Sequence, residues 1–167
     1  MERFTGQPLR ERPHVAVLFT DQPGAFVVTT PLLRGLKEKY PGCVVDYFSG
    51  PRTAELEAVC PYLDSRFDLF GEPAGQGGLA HLAAYRDGRV AVAGPYDLAI
   101  NLDRHVVNTV ATMLLQPRYV VGYCLTPDGR KELPPGPEKV DQLLDEFWSA
   151  PDFPARYHDV LQTTFIA

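Results

Sequence analysis

The chain has 167 residues, a length typical of a single domain. Its residues are 45% apolar and 22% charged, as in a globular protein, which excludes the disordered and fibrous classes. The formal net charge is −5, and no run of Lys and Arg exceeds two residues, so the sequence argues against a nucleic-acid-binding protein.

The longest apolar runs, such as Val15–Phe19, are far short of the roughly 20 residues of a membrane span, so no transmembrane segment is predicted. The first dozen residues lack the apolar core of a signal peptide. Cys43, Cys60 and Cys124 are odd in number and show no Cys-x-x-Cys spacing. These features predict a cytoplasmic protein with neither a metal site nor a disulfide framework.

Residues 1–13 are expected to form a flexible leader, after which short apolar runs alternate with helical patterns. Five runs have strand length: Val15–Phe19, Cys43–Phe48, Arg66–Phe70, Asp97–Leu102 and Arg118–Tyr123. Helices are predicted between and after them: one ending at Tyr40 that starts at Pro31 or is kinked there, then Pro51–Val59, Leu79–Arg86, Val106–Leu115 and Glu138–Trp148. The helix Val106–Leu115 is apolar nearly all round and should be well buried.

This alternation predicts an α/β fold: a Rossmann-like open, mostly parallel sheet with helices on both faces, spanning residues 14–158. With the strand order 3-2-1-4-5, strands 1 and 4 flank the point where the order reverses. Ligands of such sheets bind beyond the carboxyl ends of the strands. The loops of interest are therefore those after the first, second, fourth and fifth strands: 20–25, 49–52, 101–105 and 122–126.

Two short motifs allow both a functional and a structural interpretation. Gly75–Ala80 matches the Gly-x-Gly-x-x-Ala dinucleotide fingerprint, but four residues separate it from the preceding strand, so a plain loop is the competing interpretation. Asp103 and His105 form an acid–histidine pair at a predicted strand end, where Asp103 either caps the next helix or takes part in chemistry. Neither a P-loop nor a Gly-x-Ser-x-Gly elbow is present.

Four segments in order resemble glycosyltransferase family 9, the ADP-heptose:lipopolysaccharide heptosyltransferases. They run from Val15 to Gly42, with Thr30-Pro-Leu-Leu33 and Tyr40-Pro-Gly42, then Val45-Asp-Tyr-Phe-Ser-Gly-Pro-Arg52, Tyr96-Asp-Leu-Ala-Ile-Asn-Leu-Asp103 and Arg118-Tyr-Val-Val-Gly-Tyr123. The resemblance covers roughly residues 14 to 165.

The resemblance implies the N-terminal half of a GT-B enzyme, in which two Rossmann-like domains face a cleft and transfer a sugar with inversion and without a metal. This half would bind a saccharide or natural-product acceptor. The nucleotide-sugar donor would be bound mainly by a C-terminal domain, in cis or as a partner subunit. Residues 159–167 would begin the connection to it, so the chain is interpreted as a fragment or as one subunit of a split protein, inactive alone.

The chain departs from the family at the residue that the family uses as a general base. The family's Gly-Asp pair is Gly24-Ala25 here, and alanine cannot accept a proton. Asp21 and Asp103 are the candidate replacements, with Asp21 preferred because it lies in the same loop. The alternative is a non-catalytic binding domain, a pseudo-enzyme that keeps the fold without the chemistry.

The acceptor is expected to contact the same carboxyl-end loops. The candidate acceptor-binding residues are Gly24, Ala25, Arg52, Asn101, Arg104 and His105. Asp21, Asp46 and Asp103 near the strand ends outnumber Arg52 and Arg104, which favours a neutral or cationic acceptor over an anionic lipopolysaccharide core.

Overall fold

A computed structural model of the chain describes residues 1–71, 76–125 and 131–132. The strands are β1 (Glu2–Arg3), β2 (His14–Leu18), β3 (Val44–Ser49), β4 (Ser65–Asp68), β5 (Leu98–Asn101), β6 (Tyr119–Gly122), β7 (Cys124–Leu125) and β8 (Lys131–Glu132). The α-helices are α1 (Pro23–Lys39), α2 (Ala54–Ala58), α3 (Gln76–Ala93) and α4 (Val106–Leu114), and a 3₁₀ turn at Pro51–Thr53 leads into α2.

Six strands form one sheet in the order β1-β6-β5-β2-β3-β4, and every neighbouring pair is parallel. Without the short β1, this is the predicted order 3-2-1-4-5, so the predicted Rossmann-like sheet is confirmed. The central strand β2 pairs with β5 on one side and β3 on the other, which aligns Leu18 with Asn101 and with Phe48. A separate two-stranded antiparallel ladder joins β7 to β8.

Helices cover both faces of the sheet, as predicted. On one face, the α1 side chains of Phe26, Leu33 and Leu36 pack against Val15 and Val17 of β2. Val45 of β3 and Ile100 of β5 belong to the same cluster. On the other face, Leu82 of α3 and Ala111 of α4 pack against residues that include Ala16 and Leu18. Because β2 is buried on both faces, its sequence is continuously apolar after His14 rather than alternating.

Three helices differ from their prediction. Helix α3, predicted over Leu79–Arg86, runs over Gln76–Ala93 and so continues past Gly88. Helix α1 begins at Pro23 and continues through Pro31. Of the two predicted alternatives, the one that places Pro31 at the helix start is therefore wrong, and the one that places it inside the helix has the start too late. Helix α4 is not buried all round: its buried residues include Thr109 and Thr112, whereas Val106 is 56% exposed. Each threonine hydroxyl donates to the carbonyl oxygen four residues earlier, at 3.0 and 2.8 Å. These bonds remove the main cost of burying a hydroxyl, and the apolar side chains of Val106, Met113 and Leu114 are left on the outer face.

The first thirteen residues, expected to be a flexible leader, are attached to the domain at both ends. Glu2–Arg3 form the edge strand β1, which pairs with β6. The Arg10 guanidinium donates to both carboxylate oxygens of Asp97, at 2.6 to 2.9 Å. The two-residue strand has no hydrophobic pattern and is held through its backbone, so sequence periodicity misses it.

The fingerprint Gly75–Ala80 does not form the loop of a dinucleotide site in the part that is described. Gln76–Ala80 are the first residues of α3, and Gly75 lies outside the described residues. A β-carbon at Gly78 would lie 2.5 Å from the carbonyl oxygen of Leu69, so close helix–strand packing explains that glycine. The predicted helix Glu138–Trp148 and the predicted connection 159–167 also lie outside the described residues. Of the helices described, none has the length and apolar character needed to cross a membrane.

Candidate functional site at the carboxyl ends of the strands

The loops that follow β2, β3 and β5 leave the same edge of the sheet. They are tied together at their starts, because the Leu102 amide donates to the Leu18 carbonyl at 2.9 Å and the Phe19 amide donates to the Phe48 carbonyl at 3.0 Å. The parallel pairing therefore brings the predicted site residues to one edge, where ligands of open α/β sheets bind.

Asp21 follows β2 and lies directly against Gly50, which follows β3. A β-carbon built on Gly50 would overlap the Asp21 β-carbon and would lie 2.9 Å from Oδ2. Asp21 is half-buried, and within the described residues its carboxylate makes neither a hydrogen bond nor an ion pair. Its oxygens are therefore available to a ligand.

A cluster of polar side chains fixes the backbone of Gly50 through its carbonyl oxygen. The Gly50 carbonyl oxygen accepts hydrogen bonds from the Thr53 hydroxyl at 3.2 Å and from an Arg66 terminal nitrogen at 3.3 Å. Arg66 Nε also donates to Glu57 Oε2 at 2.8 Å, and the Ser49 hydroxyl donates to Glu57 Oε1. Glu57 is 3% exposed and is therefore a buried carboxylate with both oxygens satisfied.

The predicted acceptor-binding residue Asn101 has both amide atoms engaged by the chain. Its Nδ2 donates to the Tyr123 carbonyl at 2.8 Å, and its Oδ1 accepts from the Asp103 amide at 3.1 Å. It is 1% exposed. Asn101 therefore joins the loops after β5 and β6, and its burial leaves almost no surface for an acceptor.

Asp103 and His105 are both engaged at the start of α4. Asp103 Oδ1 accepts a hydrogen bond from the His105 amide at 3.0 Å, and His105 is the N-cap residue, whose Nδ1 accepts from the Val107 amide at 3.3 Å. The His105 ring also meets the ring of Phe70 edge-on, 5.7 Å between centroids. The capping interpretation thus accounts for the pair, although the cap is His105 and Asp103 supports it.

The four remaining candidates lie on the same edge. Gly24 and Ala25 are in the first turn of α1, where Ala25 is half-buried and Gly24 is exposed. Arg52 is exposed in the 3₁₀ turn, and Arg104 is exposed between β5 and α4. The methyl group of Ala25 offers no proton acceptor at the position where the family resemblance implies an aspartate.

Asp46, which the sequence places near a strand end, lies instead inside β3 and is completely buried. Its carboxylate accepts hydrogen bonds from His14 Nε2 at 2.9 Å, from two Arg89 nitrogens at 2.7 and 2.9 Å, and from the Tyr96 hydroxyl at 2.6 Å. Burial alone would raise the pKa of Asp46, but the hydrogen bonds from His14, Arg89 and Tyr96 together lower that pKa below its ordinary value. Asp46 therefore belongs to the core and not to the candidate site.

A cleft of about 600 Å³ lies at the opposite ends of the strands, with Arg10, Arg12 and Arg89 among its lining residues. Asp97 and Asp46 already pair with two of these arginines, and Glu11 and Asp64 line the same cleft. Its charges are thus largely balanced by the chain itself. Within the residues described, no group of three His, Cys, Asp or Glu side chains could hold a metal ion.

Comparison with known proteins finds similarity in structure only. No family model matches the chain, and the curated proteins contain no match. The crystal structure of a glycosyl transferase family 9 protein from Veillonella parvula superposes with a TM-score of 0.56 and 19% identity, covering 70% of this chain and 33% of that one. E. coli ADP-heptose lps heptosyltransferase II has a TM-score of 0.49 and 18% identity, covering 66% of this chain and 30% of that one.

The chain therefore spans about a third of the length of these two structures. The likeness to the Veillonella parvula structure shows a shared fold, and it confirms at the level of the fold the resemblance to family 9 that the sequence motifs predicted.

Proposed function

We propose that this chain is the acceptor-binding domain of an inverting glycosyltransferase with a GT-B architecture. A second domain, in cis or as a partner subunit, would bind the nucleotide-sugar donor and complete the cleft. The observation that carries the proposal is the uncommitted, half-buried carboxylate of Asp21 at the carboxyl end of the central strand, in a fold shared with a family 9 glycosyltransferase.

An inverting transfer needs one group to accept the proton of the acceptor hydroxyl while that oxygen attacks the anomeric carbon. Ala25 cannot do this. Asp103 Oδ1 is engaged by the His105 amide, whereas the Asp21 carboxylate has no hydrogen-bond partner within the described part of the chain. The difference in hydrogen bonding favours Asp21 as the base, and Asp103 remains the rival.

The charges near this edge support a neutral or amino-sugar acceptor. Because Asp46 is buried, the charged candidates at this edge are two acids, Asp21 and Asp103, and two bases, Arg52 and Arg104. The edge therefore has no excess of positive charge with which to bind a strongly anionic lipopolysaccharide core. Cys43 and Cys60 form no disulfide within the described residues, which fits a reducing compartment, and we propose a cytoplasmic location in which nucleotide sugars serve as donors.

Acceptor binding can be tested by NMR titration of the ¹⁵N-labelled 167-residue chain with neutral, amino and acidic monosaccharides and with nucleotide sugars. Neutral or amino sugars should shift the amide signals of Asp21, Gly50 and Asp103, and nucleotide sugars should bind poorly. Tight calorimetric binding of a nucleotide sugar to this chain would contradict the assignment of donor binding to a second domain.

Ala25 favours a second candidate, a Rossmann-like binding domain that keeps the fold without transferring sugar. A transfer assay of the chain together with its donor-binding domain separates the two functions. Saccharide binding with no turnover for any donor would support the binding domain, whereas turnover would support the transferase.

A further inference from the structure

We propose that Glu57 is a positioning residue for Asp21, acting through Arg66 and the carbonyl group of Gly50. The inference rests on the proposed role of Asp21. None of the sequence motifs points to Glu57, which lies in the short helix α2, 36 positions after Asp21 in the chain.

The Asp21 side chain lies directly against Gly50. Because any β-carbon on Gly50 would overlap the Asp21 side chain, the glycine forms a flat surface on which Asp21 rests. Gly50 itself is buried. A displacement of the Gly50 backbone would therefore displace the Asp21 side chain as well.

Hydrogen bonds to its carbonyl oxygen fix the position of Gly50. Its carbonyl oxygen has two donors, the Thr53 hydroxyl and the Arg66 guanidinium. Arg66 is a long side chain that remains 34% exposed, so without an anchor it would lose its orientation to rotamer freedom. Glu57, whose side chain is fully buried, supplies that anchor at 2.8 Å.

The second oxygen of Glu57 accepts a hydrogen bond from the Ser49 hydroxyl. Ser49 is the last residue of β3 and directly precedes Gly50. One buried carboxylate thus holds the end of β3 by two routes. A salt bridge needed only for stability could be replaced by apolar packing, whereas this one directs a half-buried guanidinium to a single backbone carbonyl.

The test uses Glu57→Gln, which keeps the size of the side chain and removes its charge. Glu55→Gln is the matched control, because Glu55 is an exposed residue of the same helix. In ¹³C,¹⁵N-labelled 167-residue protein, Glu57→Gln should shift the Gly50 amide signals and the Asp21 carboxyl carbon signal, and Glu55→Gln should leave them unchanged. Unchanged Asp21 signals in a folded Glu57→Gln chain would overturn the proposal.

A second variant covers the outcome in which Glu57→Gln fails to fold. Thr53→Val removes the other donor to the Gly50 carbonyl and leaves the Glu57–Arg66 pair intact, so it should also shift the Asp21 signals. Unshifted Asp21 signals in this variant would contradict the link between Gly50 and Asp21.

Activity distinguishes this proposal from the proposed function. In the protein that contains the donor-binding domain, Glu57→Gln should lower kcat on the order of 10-fold, with the KM for the donor unchanged. If Asp21→Asn leaves turnover at the wild-type value, the role of Asp21 fails, while the NMR signals still decide whether Glu57 positions its side chain. A donor KM that changes with unchanged kcat would contradict the positioning role.

Discussion

Gly122, at the end of β6, lies directly against the backbone of Asn101, at the end of β5. A β-carbon on Gly122 would overlap the Asn101 carbonyl oxygen and lie 2.9 Å from its carbonyl carbon. Gly122 also has a φ of 85°, a conformation that favours glycine. The close approach lets the Asn101 amide reach the Tyr123 carbonyl, so the two loops leave the sheet together.

Gly122→Ala should therefore lower the free energy of unfolding by at least about 2 kcal/mol, because strained backbone and steric overlap add. Urea denaturation of the 167-residue chain measures the change. The control is Gly35→Ala, at an exposed position inside α1 with open space around it, which should stabilise the chain by about 0.5 to 1 kcal/mol. Equal effects of the two substitutions would contradict the contact between Gly122 and Asn101.

The buried network around Asp46 should make stability depend on pH in acid. The pKa of Asp46 is lower in the folded chain than its ordinary value of 3.8, so its carboxylate stabilises the fold above that value. This contribution is lost as the pH falls through the lowered pKa. Asp46→Asn should cost about 3 to 5 kcal/mol at pH 7, because Arg89 loses its charged partner and one amide oxygen cannot accept the hydrogen bonds of His14, Arg89 and Tyr96.

Denaturation at pH 7, 5 and 3 measures this effect. The stability difference between wild type and Asp46→Asn should narrow as the pH approaches 3. Asp87→Asn is the control, since Asp87 is 69% exposed and pairs only with its neighbour Arg86 in the described structure, and it should change stability little at each pH. A difference that stays constant from pH 7 to pH 3 would argue against a carboxylate stabilised by the network.

The sheet could be predicted from the sequence because its central strands β2, β3 and β5 are buried on both faces and have short apolar sequences. Val15–Phe19 is an example, and it forms the central strand β2 almost as predicted. The buried contacts could not be predicted in the same way. Asp46 meets Arg89, 43 positions away in the chain, and no local pattern indicates such a pair.

In the candidate site, too, the sequence predicts the positions of the loops but not the contacts between their side chains. The position of Asp21 and Asp103 beyond neighbouring strands follows from the strand order, and the sequence predicts it. Asn101 joins two loops, and Glu57 supports the loop next to Asp21 through Arg66. Both contacts depend on side-chain packing between elements that are distant in sequence. Hydrophobic periodicity carries no information about these polar contacts.

Asp103 should contribute to stability through its bond to the His105 amide. Asp103→Ala should lower the free energy of unfolding by about 1 kcal/mol, because an amide near the start of α4 loses its acceptor. Asp103→Asn keeps a side-chain oxygen and should cost less. Urea denaturation of both variants measures the difference, and an Asp103→Ala chain as stable as wild type would contradict the structural role of this aspartate.

Asp21→Asn separates catalysis from folding. In the protein that contains the donor-binding domain, it should lower kcat on the order of 10²-fold or more, because an amide cannot take the proton of the acceptor hydroxyl. Stability should not change, because Asp21 makes no hydrogen bond in the described structure. Asp103→Asn should keep most of the turnover.

Ala25→Asp in the Asp21→Asn background should restore part of the lost turnover. A carboxylate in the first turn of α1 is compatible with the helix dipole and lies where the family resemblance implies the base. Wild-type turnover in both single variants would show that neither aspartate is the base.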